Sequence, residues 1–115
     1  MRATIPLAEA HATAELLRAL GDESRLRILA LLRQGERCVC HITADLALSQ
    51  PNASRHLGVL RHAGLVDSQR RGAWIYYRLA ALGPQQARVL EAVLDGLPEE
   101  SLAQDRAGAA LGSCG

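Results

Sequence analysis

The feature that most narrows the fold is a stop and restart within residues 39–62. Val39, Ile42 and Leu46 recur at helical spacing, and so do Ala53, Leu57 and Leu60 at i, i+4, i+7. Only Leu48 and Ser49 make the connection between the two patterns. Ser49 is a good helix cap, and Pro51 falls in the first turn after it, where a missing N–H does no harm. One continuous helix is therefore excluded. The pattern predicts a short helix over about 39–47, a tight turn, and a second helix running to about His62 and ended by Gly64. Two strand-like stretches, 65–70 and 73–79, then flank Arg71-Gly72. Two short helices, a tight turn and a β-hairpin make the winged helix-turn-helix plan.

The flanking segments fit that plan. Residues 9–20 read as a helix with Leu16, Leu17 and Leu20 on one stripe, broken by Gly21. Asp22 suits the cap of the next helix, and Glu23 suits the positive end of its dipole. Leu26, Leu29 and Leu32 form that helix's stripe, and Ile28 and Leu31 widen it, which predicts a central helix. A last helix covers about 84–97. The fold class is thus mainly α with a β-hairpin wing, in one domain over residues 1–97. Residues 98–115, rich in Ala, Gly, Ser and acids, are expected to be a flexible tail. With 115 residues and no Phe, Leu and Ala must fill the core, and so small a domain gains by dimerising.

Charge is distributed unevenly along the chain. Residues 1–48 hold six Arg against six acids, residues 49–78 five Arg against Asp67 alone, and residues 79–115 two Arg against five acids. A basic middle segment points to a polyanion contacted locally. On a helical wheel the Ala53/Leu57/Leu60 stripe faces inward, and Arg55 faces outward, flanked by Asn52 and His56. Gln50 stands at the helix start. Arg suits guanine edges, and Asn or Gln suits adenine. Ser49 and Ser54 suit phosphate, as does the helix N-terminus. Arg70 and Arg71 flank the glycine of the hairpin tip, in reach of an adjacent backbone or minor groove. Taken singly, each of these residues fits a solvated surface; their combination favours DNA. Trp74, Tyr76 and Tyr77 read as strand and core packing.

The runs Leu20-Gly21-Asp22, Arg25-Leu26-Arg27-Ile28-Leu29, Cys38-Val39-Cys40, Ser49-Gln50-Pro51, Ser54-Arg55-His56-Leu57, Gly64-Leu65-Val66 and Trp74-Ile75-Tyr76-Tyr77-Arg78-Leu79 resemble the ArsR/SmtB family. These are small metal- and metalloid-responsive repressors. The resemblance covers roughly residues 12–97 in one register, and Cys-Val-Cys looks most like the arsenic-responsive branch. It implies a homodimer joined by the first and last helices. It also implies binding to double-stranded operator DNA upstream of resistance genes, and release when an inducer binds.

Trivalent arsenic or antimony is the inducer that branch implies, because soft metalloids prefer thiolates. Cys38 and Cys40 are the ligands it implies. Full pyramidal coordination takes three sulfurs, and where the family pattern has its third cysteine this chain has Thr43. Three arrangements stay open. Two thiols hold arsenic with a retained hydroxide; or Cys114, from the same or the partner subunit, supplies the third sulfur; or the inducer is methylarsenite, with only two exchangeable oxygens. Outside the family register, Cys38 and Cys40 read as small core residues, and Cys114 as an incidental tail thiol.

Competing chemistries find less support. The last helix offers Glu91 and Asp95 but no His for zinc, and residues 1–37 hold no Cys for cadmium or lead. A thiol redox sensor closing a Cys38–Cys40 disulfide is the alternative from another regulatory class. No enzyme is expected. A phosphatase-like loop needs an Arg six residues after Cys, where Ala44 and Leu46 stand, and no Walker A loop or nucleophile elbow appears. No apolar run reaches the roughly 20 residues of a membrane helix, and Met1–Ala10 does not resemble a secretory signal. A soluble cytoplasmic protein without a membrane partner is expected.

Overall fold

The computed structural model describes residues 7–97. The expected tail over 98–115, and Cys114 with it, lies outside the described residues. The elements are α1 (Leu7–Leu20), α2 (Glu23–Arg33), β1 (Arg37–Cys38), α3 (Val39–Leu46), α4 (Gln50–His62), β2 (Val66–Arg71), β3 (Trp74–Leu79) and α5 (Pro84–Asp95). This is the winged helix-turn-helix arrangement. No described helix is long and apolar enough to cross a membrane.

The core is built around α2. Its residues Ile28, Leu29, Ala30, Leu31 and Leu32 are all buried, so the helix is covered on nearly every side. Ile42 and Leu46 of α3, Leu57 and Leu60 of α4, Leu65, and Leu90 and Leu94 of α5 close around it. Each fully buried Leu or Ile contributes about 1.5–3 kcal/mol of transfer free energy. The Ala53/Leu57/Leu60 stripe faces inward as its spacing requires. Leu17 departs from expectation. It shares a stripe with Leu16 and Leu20 in the sequence, yet it is 54% exposed. It lines a groove with Val89 of α5, outside the core.

The hairpin pairs Arg71 with Trp74 at its closed end, and Gly72 takes the positive φ of 63° that the turn demands. A third strand joins it. The two-residue β1 pairs antiparallel with β3, Arg37 opposite Tyr77 and Cys38 opposite Tyr76, giving the order β1-β3-β2. Two residues carry no detectable period, so sequence reasoning missed this strand. Tyr77 packs on the core, whereas Trp74 is 41% exposed, contrary to its expected packing role.

The turn between α3 and α4 holds a strained residue. Ala47 ends α3 in the left-handed region, at φ 54° and ψ 42°, and its amide donates to the Thr43 carbonyl. A Cβ makes that conformation cost about 1–2 kcal/mol. Ala47→Gly removes this cost at the expense of a more flexible unfolded chain. We expect a net gain of up to about 1 kcal/mol in chemical denaturation. A loss of stability in that variant would show that the turn carries no such strain.

Candidate nucleic-acid interface and thiol pair

Helix α4 begins as its sequence dictates. The Ser49 hydroxyl oxygen accepts from the Asn52 amide at 3.2 Å, and Pro51 lies in the first turn. Gln50, Asn52, Ser54 and Arg55 are all exposed. Arg55 Nη2 donates to Asn52 Oδ1 at 3.1 Å, which holds the two side chains together. Ser49 serves first as a cap and keeps its hydroxyl proton for an outside acceptor.

His56 requires a correction. Sequence reasoning placed it beside Arg55 on the outer face, but it is only 7% exposed. Its Nδ1 lies 3.3 Å from Arg25 Nη1 and 3.8 Å from Asp22 Oδ1. On the wheel His56 borders the Ala53–Leu60 edge of the apolar stripe, and the first turn of α2 covers that edge. It is therefore not available to the groove.

Arg71 has a partner within the chain. It stands on the wing as expected, but its guanidinium is engaged with Glu36, Nη1 to Oε1 at 2.7 Å and Nη2 to Oε2 at 2.9 Å. Gln69 Oε1 accepts from the same Nη2 at 3.0 Å, and the guanidinium carbon lies 4.5 Å from the Tyr76 ring centre. Arg71 thus ties the wing to the start of β1. Arg70 remains on the exposed surface of the hairpin. Arg61 Nη1 donates to Ser68 Oγ at 3.3 Å, linking α4 to the wing.

The two cysteines meet at the β1–α3 junction. Cys38 ends β1 and is the N-cap residue of α3, with its side chain buried, while Cys40 lies in the first turn of α3 and is half-buried. Their sulfurs are joined in a disulfide, with Cα atoms 5.4 Å apart. Thr43 does not complete a donor set. Its Oγ1 donates to the Cys40 carbonyl at 2.8 Å. An open cleft beside Cys38 is lined by Glu36, Arg37, His41, Asp45 and Tyr76. Among the described residues, no group of three or more His, Cys, Asp and Glu is placed to hold a metal ion. The two sulfurs stand two residues apart at the opening of α3.

Comparison with known proteins shows the family. Residues 22–68, from α2 into β2, match the family described as bacterial regulatory protein, arsR family. The biofilm growth-associated repressor of Agrobacterium fabrum is 42% identical over 102 residues, covering 85% of this chain and 86% of that protein. The chain belongs to the arsR family. The arsenic resistance transcriptional regulator ArsR1 of Pseudomonas putida is 43% identical over 83 residues, 71% of this chain and 62% of the relative, so the chain spans less than two thirds of that protein's length. Among solved structures, the homodimeric winged helix-turn-helix DNA-binding domain Mb0332 of Mycobacterium bovis, a possible ArsR-family transcriptional regulator, superposes with a TM-score of 0.69. It is 36% identical, over 81% of this chain and 86% of that one. Family and fold are those of transcriptional regulators and not of enzymes.

Within this arsR-family domain, Asp22 caps α2. Its Oδ1 accepts from the Arg25 amide at 3.1 Å. That backbone hydrogen bond holds the carboxyl below its ordinary range; burial opposes the shift, and the Arg25 charge adds to it. A lowered folded pKa means the cap is fully stabilising above the unfolded carboxylate value of about 3.9 and is lost as pH falls through the folded value. Asp22→Ala should cost about 1 kcal/mol at neutral pH. The stability gap to the parent should close in acid, measured by denaturation from pH 7 to pH 2. A gap independent of pH would exclude the ionised cap as its source.

Proposed function

We propose that this protein is a homodimeric repressor that binds double-stranded operator DNA of an arsenical-resistance operon. It lets go when trivalent arsenic or antimony (arsenite, antimonite or methylarsenite) binds Cys38 and Cys40. The observation that carries this reading is the meeting of two sulfurs at the residues that open α3, one tight turn before α4. The ArsR1 relative's role in arsenic resistance supports the choice of inducer. The exposed Leu17 and the groove it forms with Val89 support dimerisation through α1 and α5, and the protein acts in the cytoplasm.

The chemistry balances on two thiols. A monoalkyl arsenical RAs(OH)2 takes both, releasing two waters, and leaves arsenic bonded to two sulfurs and its carbon. As(OH)3 takes the same two and retains one hydroxide unless Cys114 displaces it as a third water. Closing this ring changes the backbone where β1 ends and α3 begins. α3 leads into α4 through strained Ala47, so the change reaches the helix that presents Gln50, Asn52, Ser54 and Arg55 to the groove. Ser49 and Arg70 add phosphate contacts.

The disulfide itself favours a second reading, a redox sensor. There an oxidant takes two electrons and two protons from the dithiol, and the bond formed replaces arsenic as the trigger. Arsenicals do not bind the oxidised pair, so the two triggers exclude one another.

Fluorescence anisotropy on an operator duplex separates them. With reductant present, methylarsenite should release the parent protein and leave Cys38→Ser/Cys40→Ser bound. Release of the double variant would overturn arsenical sensing at this site, and release by peroxide alone would establish the redox reading. X-ray absorption on arsenite-loaded protein should count two sulfur neighbours in Cys114→Ser; a third in the parent assigns Cys114 to the centre.

Arg55→Ala should weaken operator binding by about 1–3 kcal/mol and relax sequence preference, as loss of a bidentate base contact does. Arg70→Ala should weaken all sequences alike and reduce the salt dependence. An unchanged preference in the first variant would remove Arg55 from the base-reading set.

A further inference from the structure

Arg25 makes contacts that neither the operator surface nor the thiol pair uses. Its Nε donates to the Ala19 carbonyl at 2.7 Å and its Nη2 to the Arg18 carbonyl at 3.0 Å. These are carbonyls of the last turn of α1, where the helix dipole attracts a cation, and that of Arg18 also accepts from the Gly21 amide at 3.1 Å. Its Nη1 reaches His56 Nδ1 of α4 at 3.3 Å. Its own amide is held by the Asp22 cap. One residue on α2 therefore grips the end of α1 and the middle of α4.

The geometry assigns a role to this set. We propose that Arg25 and His56 are positioning residues for DNA binding: together they hold the rotation of α4 about its own axis, and so decide which of its side chains face the groove. Arg25 has only donors, so the contact with His56 makes Nδ1 the acceptor and places the ring proton on Nε2. Three donors of one planar fork are spent on three separate acceptors, which an ammonium group does not reproduce. His56 directly follows Arg55 in α4. Without the latch, a small roll of α4 turns Arg55 away from the base edge it would read. The inference rests on α4 being the helix that enters the groove, and is independent of the inducer.

The test uses a duplex enriched from a random-sequence pool by the parent protein. Binding is measured by anisotropy over a range of salt, for Arg25→Lys, His56→Leu, His56→Asn and the double Arg25→Lys/His56→Leu variant, each checked for helical content by circular dichroism. Arg25→Lys keeps the charge and loses the fork. His56→Leu keeps the burial and loses the acceptor. His56→Asn returns an acceptor close to the Nδ1 position. Both single losses should weaken binding to the enriched duplex roughly tenfold, the size of one charge-assisted hydrogen bond. Their salt slope and their binding to random duplex should stay unchanged, since no phosphate contact is removed. The double variant should bind no worse than either single one, and His56→Asn should recover most of the loss.

Parent-level affinity in folded Arg25→Lys overturns the proposal. So does a salt slope reduced by about one, which marks a direct phosphate contact. If His56→Leu fails to fold, Arg25→Lys and His56→Asn decide the matter alone. Failure of the parent protein to enrich any duplex would instead sink the DNA reading, and the latch with it.

Discussion

Burial of α2 is the constraint on which the rest depends. Five consecutive residues, Ile28 to Leu32, are withdrawn from water, which a helix achieves only when neighbours cover it from several directions. α1, α3, α4 and α5 each contribute part of that cover. The placement of α4 against the body of the domain is thus set first by apolar packing and then refined by polar contacts at its edges. Apolar packing fixes distance well and rotation poorly. A shared guanidinium between α1 and α4 supplies what packing leaves loose.

The second organising point is Cys38. It is the end of β1, the residue that opens α3, and the cross-strand partner of Tyr76. Glu36, two residues earlier, holds Arg71 of the wing, whose guanidinium lies against that same Tyr76 ring. The sulfur pair is therefore joined through backbone to the helix pair and through one short strand to the wing. Both parts of the proposed DNA-contacting surface sit one step from the same junction. The exposed ion pairs elsewhere, such as Arg33 with Asp95 between α2 and α5, contribute little by comparison, because solvent screens them.

Arginine does three different jobs in this chain. Arg25 joins secondary elements at a partly buried site, Arg71 clamps a strand to the wing, and Arg55 is braced by Asn52 on an exposed helix face. Charge arithmetic along the sequence treats all three alike. The basic stretch over 49–78 counts Arg71 as a free charge, although Glu36 pairs with it. Local sequence distance hid the match, since Glu36 and Arg71 lie 35 residues apart.

Periodicity, caps and breakers determined the element order. Ser49 and Pro51 could only restart a helix, Gly64 could only end one, and the stripe at Ala53, Leu57 and Leu60 could only face a core, because these effects act within one or two turns of chain. The Cys-Val-Cys pair was legible for the same reason: two residues apart, they are neighbours in any fold. Tertiary structure alone decided the rest. β1 exists because β3 offers it an edge, Leu17 is exposed because no described element covers that side of α1, and His56 turned inward because α2, whose cap lies more than thirty residues earlier, presents Asp22 and Arg25 there. A helical wheel knows the angle of a side chain but not which neighbour waits at that angle, and that neighbour is chosen by the packing of the whole chain.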